Sequence, residues 1–379
     1  MRIATATLAC VSLPFVEKFS HGLGSRSASE SIFASVTTAA GTVGWGEGMP
    51  RADVTGEDLD SCVAQARNVL WPALKGQALP AGNTFAEMLA RLDAVLDARA
   101  ADGAVAHNAV RCAFELAIVD AWLRERGRGL GDELPPARDE VAYSAVIPTC
   151  SVEATTSHAK QYNELGFENV KVKIDGHDDV ARLQAVRAVF GPDASLRVEG
   201  NAAYTVDGAL AVLRAVPGLH AADRMLARGA LDDWAGLTAR SPVLIMVDES
   251  LVTEQDAAAL IARKACNMFN LRISKCGGIG PTLRIAEHAR VARLGFQLGC
   301  HVGESAILSA VGRNLACHLA DARWVEGSLG NLLLKEDVAA ETVRFGQRGR
   351  ARAIGGKGLG VDVRPDVLSR HAVRTLALD

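Results

Sequence analysis

The sequence predicts an α/β protein built around a (β/α)₈-type barrel, with a smaller region in front of it. Three observations carry that expectation. Strand-like and helical runs alternate eight times from residue 141 onward. The stretch before them is β-rich at first and then helical. Between the two lies GRGLGDELPPARDE (127–140), dense in Gly and Pro, which marks a boundary. Alternating strands and helices imply βαβ units and a parallel sheet, and eight units over about 190 residues fit a compact barrel.

The elements follow in order. ATATLACVSL, SESIFASVTTAA and VGWGEG, within the first 50 residues, carry β-branched and aromatic residues broken by glycine turns. His21-Gly-Leu-Gly-Ser-Arg-Ser27 joins the first two and reads as a hairpin connection. From Asp53 to Gly127, apolar residues recur at helical spacing in GEDLDSCVAQARNVLWPAL, TFAEMLARLDAVLDARA and HNAVRCAFELAIVDAWLRERG. The barrel strands are expected at VAYSAVI (141), ENVKVKI (168), SLRVEG (195), LHAADRM (219), VLIMVDE (243), MFNLRIS (268), FQLGC (296) and RWVEG (323). Helical stretches such as VARLQAVRAVF and PTLRIAEHARVARL separate them. The tail from about Leu332 returns to short β-like pieces. Its glycine-rich IGGKGLGVDV follows no βαβ strand and opens no helix, so it reads as a turn and not a phosphate loop.

Composition narrows the function classes. Hydrophobic residues make up 49% and charged residues 22%, ordinary for a globular protein. A net charge of -3 gives no case for nucleic acid or an acidic membrane surface. No segment approaches the roughly 18 continuous apolar residues of a membrane span. The N-terminus is short, β-like and interrupted by Pro14, unlike a signal peptide. The eight cysteines are scattered without CxxC or zinc-like spacing, which points to reduced thiols and a cytoplasmic setting.

The chemistry begins at NVKVKI. On a strand, Val170, Val172 and Ile174 share one face, and Lys171 and Lys173 share the other. By itself this could be a solvated edge strand guarded by lysines. The other strand ends favour a site instead, because barrel active sites gather at the C-terminal ends of strands. Those ends carry Glu199-Gly-Asn201, Asp223, Asp248-Glu249-Ser250, Lys275, His301 and Glu326. Three consecutive strands each offer a carboxylate. Gathered carboxylates repel, and a hard cation such as Mg²⁺ or Mn²⁺ resolves the repulsion. In a closed eight-stranded sheet the second and sixth strands lie opposite. Lys275 is therefore expected to face Lys171 and Lys173 across the mouth.

VKVKI, VEGN, VDESL and RISKCGGIG, with VGWGEGMP and VTGED upstream, together resemble the enolase superfamily, most closely its muconate-lactonizing subgroup. The resemblance covers nearly the whole chain. It implies a (β/α)₇β barrel (129–331) under an α+β capping domain (1–128) that the tail (332–379) completes. It implies Mg²⁺, with Mn²⁺ as a substitute, at Glu199, Asp223 and Asp248. It implies removal of the proton α to a substrate carboxylate through an enediolate. Lys173 and Lys275 would be the acid/base pair, with Lys171 lowering the pKa of Lys173 and helping to hold the carboxylate. His21, Arg26, Asn201, Glu249, His301 and Glu326 are the candidate contacts to a small carboxylate-bearing substrate. A homo-oligomer, dimer or octamer, is expected by the same analogy.

The sequence departs from that family at three places. The first ligand is usually aspartate and here is Glu199. The second is usually glutamate followed two positions on by proline, where this chain has Asp223-Arg-Met225. Arg272 stands where mandelate-racemase relatives carry the aspartate partner of a catalytic histidine, so His301 has no such dyad. Epimerisation, racemisation, cycloisomerisation and dehydration share the same first step, and an isomerase is expected. A Schiff-base lyase or aldolase using Lys275 is a rival. An inactive binding barrel is another.

Overall fold

The computed structural model describes residues 1–21, 24–79, 84–96, 107–327, 330–339 and 343–378. Strands β1 (Ile3–His21), β2 (Gly24–Thr38) and β3 (Val43–Gly48) open the chain. After a helical stretch come β4 (Glu140–Ala142), β5 (Ala145–Ile147), β6 (Asn169–Lys173), β7 (Ser195–Glu199) and β8 (Ala221–Asp223). Next are β9 (Leu244–Val247), β10 (Met268–Leu271) and β11 (Gly295–Leu298). The tail adds β12 (Arg350–Arg352) and β13 (Ala372–Leu378). Strands β5 to β11 form a parallel sheet in sequential order, with helices between successive strands. The antiparallel sheet in front of it has the order β13-β1-β2-β3. β12 pairs with β4.

Alternation along the parallel strands sorts the side chains. One parity holds Val170, Val172, Leu196, Val198, Ile245, Val247, Phe269, Leu271, Phe296 and Leu298, all in the main core. That core includes Leu183, Leu210, Leu237, Leu260 and Ile285 of the intervening helices. The opposite parity holds Ala221, Met246 and Met268, which form a separate small cluster with Trp324. It also holds the buried polar residues Lys171, Lys173, Arg197, Glu199, Asp223, Asn270 and Gln297. Strand β6 is thus an interior strand between β5 and β7, and the edge-strand alternative does not hold. Ser151, Thr205, Thr253 and Ser305 each cap the helix that follows through a side-chain oxygen.

Two expected strands take other forms. VAYSAVI divides into β4 and β5 at Tyr143, whose backbone N donates to Gly349 O of the tail at 2.9 Å. RWVEG forms no ladder; Val325 makes one isolated bridge to Leu298 and another to Tyr143. Ser144 N donates to Val325 O at 2.9 Å, and Glu326 N donates to Leu298 O at 2.9 Å. One short segment therefore bonds toward both edges of the sheet. The glycine-rich tail is a turn, as expected, and Gly356, Gly358 and Gly360 all have positive φ.

The front sheet meets the long helix Asn108–Glu125, whose residues 108–123 are all buried. β3 lies against it at a distance that glycine alone permits. A Cβ on Gly44, Gly46 or Gly48 would strike the carbonyl oxygen of Ala117, Ala113 or Ala109 respectively. Two strand residues advance about 6.6 Å and four helix residues about 6 Å, so a glycine at every second strand position meets an alanine at every fourth helix position. Between them, Glu47 reaches the other layer. Its carboxylate accepts from Ser305 Oγ (2.6 Å), Ser305 N (3.1 Å) and Leu308 N (3.3 Å), at the start of the helix Ala306–His318. Met49 N donates to Ser274 Oγ at 2.8 Å. The VGWGEGMP motif thus joins the front region to the parallel sheet.

Gly46→Ala is expected to destabilise the protein by about 1–3 kcal/mol or more, since backbone must move. Gly236→Ala, in the helix Leu231–Arg240 with open space around it, is expected to stabilise by about 0.5–1 kcal/mol. Urea denaturation of both variants checks the opposite signs.

Candidate active site

The polar parity converges at the C-terminal ends of β6 to β10. Lys171 Nζ lies 2.9 Å from Glu199 Oε2, 2.7 Å from Glu326 Oε2 and 3.9 Å from Asp223 Oδ2. Lys173 Nζ lies 3.6 Å from the same Glu199 oxygen. Asn201 Nδ2 donates to Glu199 Oε1 at 2.8 Å. Below, Arg197 Nη1 reaches Glu326 Oε1 at 3.1 Å and also bonds Gln297, which donates to the same Glu326 oxygen at 3.2 Å. The Arg197 guanidinium sits 4.7 Å from the centre of the Trp324 ring, over the apolar floor.

The other wall is built after β9 and β10. Lys275 is fully buried, on a short helical turn (Ile273–Cys276) beyond the strand that was expected to carry it. Gly277 and Gly278, both at positive φ, end that turn. Its ammonium donates to Asp248 O and Asn270 O, each at 2.7 Å, and lies 2.9 Å from Asp248 Oδ1. Arg272 Nη2 contacts Asp248 Oδ2 and lies 3.3 Å from Glu249 Oε1. Arg224 Nε is 2.8 Å from Glu249 Oε2. Asn201, Ala202 and Arg224 have left-handed φ of 46°, 63° and 46°. Such non-glycine residues cost about 1–3 kcal/mol each and persist where the surroundings hold them. Here Ala202 N donates to Arg224 O at 2.7 Å.

Burial and charge set the protonation states. Burial opposes the Lys171 charge, yet Glu199, Glu326 and Asp223 outweigh it and raise the ammonium pKa. Burial likewise works to raise Glu199, but Lys171 and Lys173 hold its carboxyl well below the usual range. Lys171 is therefore a permanent cation. Lys275 goes the other way: burial first, with Arg272 adding, lowers it to about 8. Burial also raises Asp223 to about 6 and Glu249 to about 7.

Glu199, Asp223 and Asp248 stand on adjacent strands or just past them and offer oxygen alone. Asp223 Oδ1 is buried with no hydrogen-bond partner among the described residues, and Asp248 Oδ1 has the Lys275 ion pair. Among the described residues no three His, Cys, Asp or Glu side chains converge closely enough to hold a metal ion. Lys171, Lys275 and Arg272 lie among the carboxylates instead. The donor chemistry fits a hard divalent cation, and a cation would relieve the unpartnered Asp223 oxygen.

Nine of the candidate residues thus form one connected cluster: Lys171, Lys173, Glu199, Asn201, Asp223, Asp248, Glu249, Lys275 and Glu326. His301 is buried beside it. Its backbone N donates to Glu304 Oε1 at 2.8 Å, and its ring has no hydrogen-bond partner among the described residues. Burial, then Arg272 and Arg51, lowers its pKa, so the imidazole is neutral. Arg26 pairs with Asp53 at 3.3 Å, and Asp53 O in turn accepts from Arg224 Nη2 at 3.5 Å, which ties Arg26 to the rim of the cluster. His21 ends β1, and its side chain lies outside the described residues. Sequence reasoning missed Arg197, Asn270, Gln297 and Arg224. The available signal was parity: Asn270 is polar in the otherwise apolar strand MFNL.

The family described as enolase C-terminal domain-like matches residues 154–367. An L-Lys-D/L-Arg epimerase from Methylococcus capsulatus is 30% identical over 97% of this chain and 100% of its own length. The crystal structure of N-succinyl Arg/Lys racemase from Bacillus cereus superposes with a TM-score of 0.90 at 24% identity, over all of both chains. The dipeptide epimerase from Cytophaga hutchinsonii, solved with Mg and the dipeptide D-Ala-L-Val, gives 0.86 at 24% identity, again over both whole chains.

Lys171→Met leaves Glu199 and Glu326 buried without their shared ammonium. A loss of about 3–5 kcal/mol is expected at neutral pH. The two carboxyls of the variant would then be raised above their unfolded values, so the deficit shrinks as pH falls and they protonate. Denaturant melts of both proteins between pH 5 and 8 measure this.

Proposed function

The chain belongs to the enolase superfamily, and on that premise we propose that this isomerase is a Mg²⁺-dependent epimerase of amino-acid derivatives: dipeptides or N-acyl amino acids. The carrying observation is the placement of the lysines. Lys171 and Lys173 are on β6, Lys275 follows β10, and β7, β8 and β9 with their carboxylates lie between. Support for the substrate class comes from the names of the Methylococcus L-Lys-D/L-Arg epimerase and the Bacillus N-succinyl Arg/Lys racemase, and from the Mg and dipeptide in the Cytophaga structure.

A proton α to a carboxylate is weakly acidic, and its removal puts a second negative charge on the same group. Glu199, Asp223 and Asp248 would hold Mg²⁺, which when bound supplies electrostatic stabilisation of that charge. Lys171, kept protonated between two carboxylates, presents a fixed positive charge beside it. Lys173 and Lys275 would each serve one face of the α carbon, one removing a proton while the other delivers one. The neutral amine is within reach for Lys275 near physiological pH, since its pKa lies at about 8. Asp248 O and Asn270 O aim that nitrogen.

The same reading takes residues 323–326 as the eighth strand of a (β/α)₇β barrel, supported by the two bridges of Val325. It divides the chain at 1–128, 129–331 and 332–379, with the tail completing the cap. Homo-oligomers, dimeric or octameric, belong to it by analogy with the family. The eight unpaired cysteines suit a cytoplasmic setting.

Lys275→Ala is expected to abolish turnover while leaving exchange of the proton that Lys173 removes; Lys173→Ala should show the reverse. Deuterium incorporation from D₂O into a panel of L- and D-dipeptides, followed by NMR, reads this. A loss of roughly 10²–10⁴-fold is expected for each missing base. Near-normal turnover in both variants would remove the assignment.

In the direction where Lys275 is the base, kcat/KM should rise with pH and level off above about 8. In the reverse direction, where Lys275 delivers the proton, it should fall above that value. EDTA should stop both directions, and Mg²⁺ or Mn²⁺ should restore them.

A further inference from the structure

We infer that Asn270 is the positioning residue that sets Asp223 and Asp248 for a divalent cation. The inference rests on the metal reading above and extends it to a residue outside the carboxylate set. Asn270 is fully buried at a polar-parity position of β10. Its amide nitrogen donates to Asp223 Oδ2 and to Asp248 Oδ2, both at 3.1 Å. An amide nitrogen has two hydrogens, so both are committed. The two bonds hold those oxygens within about 6 Å of each other, twice the bond length.

Each carboxylate is thereby fixed by one oxygen. Arg272 Nη2 also meets Asp248 Oδ2. Of the other oxygens, Asp223 Oδ1 has no hydrogen-bond partner among the described residues, and Asp248 Oδ1 faces the Lys275 ammonium at 2.9 Å. The amide orientation follows from charge: turned over, its carbonyl lone pairs would face two carboxylates. Room for that carbonyl comes from Gly299, where a Cβ would strike Asn270 Oδ1. The backbone of the same residue accepts from Lys275 Nζ. Outer hydrogen-bond partners of this kind typically contribute about 10–100-fold to metal affinity.

The test is titration of the full-length protein with Mn²⁺, followed by electron paramagnetic resonance of the free ion, for wild type and Asn270→Leu. Leucine keeps the volume and removes both donors. Mn²⁺ binding weaker by about 10-fold or more is expected, with the half-activating metal concentration raised by a similar factor and turnover partly recovered at saturating Mn²⁺. A merely structural role would not respond to metal concentration. If circular dichroism shows N270L to be unfolded, Asn270→Thr replaces it, since one hydroxyl proton can serve one carboxylate only. Binding within about twofold of wild type in either folded variant overturns the assignment of Asn270. Absence of Mn²⁺ binding by the wild-type chain overturns the metal reading and this assignment together.

Discussion

The interior of the parallel sheet depends on one ammonium group. Lys171 sits almost wholly buried between Glu199 and Glu326, and each carboxylate is tied onward to a second partner. Glu326 leads down to Arg197 and Gln297. Glu199 leads up to Lys173 and Asn201. Isolated charges could not be buried this deeply, and even paired ones repay their desolvation only when the geometry is good. The lattice therefore reads best as a device for holding groups at defined positions. Its cost falls on stability, and the apolar parity of the same strands offsets it.

That division of labour follows from the period of a β-strand. Successive residues of β6 alternate between a charged interior and a hydrocarbon exterior. The same backbone thus anchors the helices through Val170 and Val172 while presenting Lys171 and Lys173. A displaced register would exchange the two sets and fail on both sides at once. The front region is fastened by equally tight means. The glycines of β3 admit the long helix, and Glu47 between them reaches across to the start of the helix Ala306–His318.

Much of this was legible in the sequence because it is local. The alternation of strands and helices, the lysine pair and the carboxylates at strand ends each lie within a few residues. What was hidden depends on register between strands. Asn270 reads as one polar residue in MFNL until β8 and β9 are aligned beside it, when its amide meets Asp223 and Asp248. Arg197 is similar: in SLRVEG it looks like a solvent residue, yet Glu326, 129 positions away, makes it an interior one. Lys171 is a third case: in the sequence it is one of two neighbouring like charges, and the register alone seats it between two carboxylates. RWVEG, expected as the eighth strand, makes single bridges to Leu298 and Tyr143 through Val325 in place of a ladder.

The antiparallel sheet has a consequence for how the protein is made. Ala6 of β1 lies opposite Leu378 of β13, so nearly the whole polypeptide separates two adjacent strands. As the chain leaves the ribosome, β1 and β2 can pair at once, but the outer edge of β1 waits until the parallel sheet has been synthesised. Contacts this distant in sequence form slowly, and an exposed strand edge recruits other strands meanwhile. The interval between translating the two strands is thus the time when a nascent chain is most open to aggregation and to chaperones.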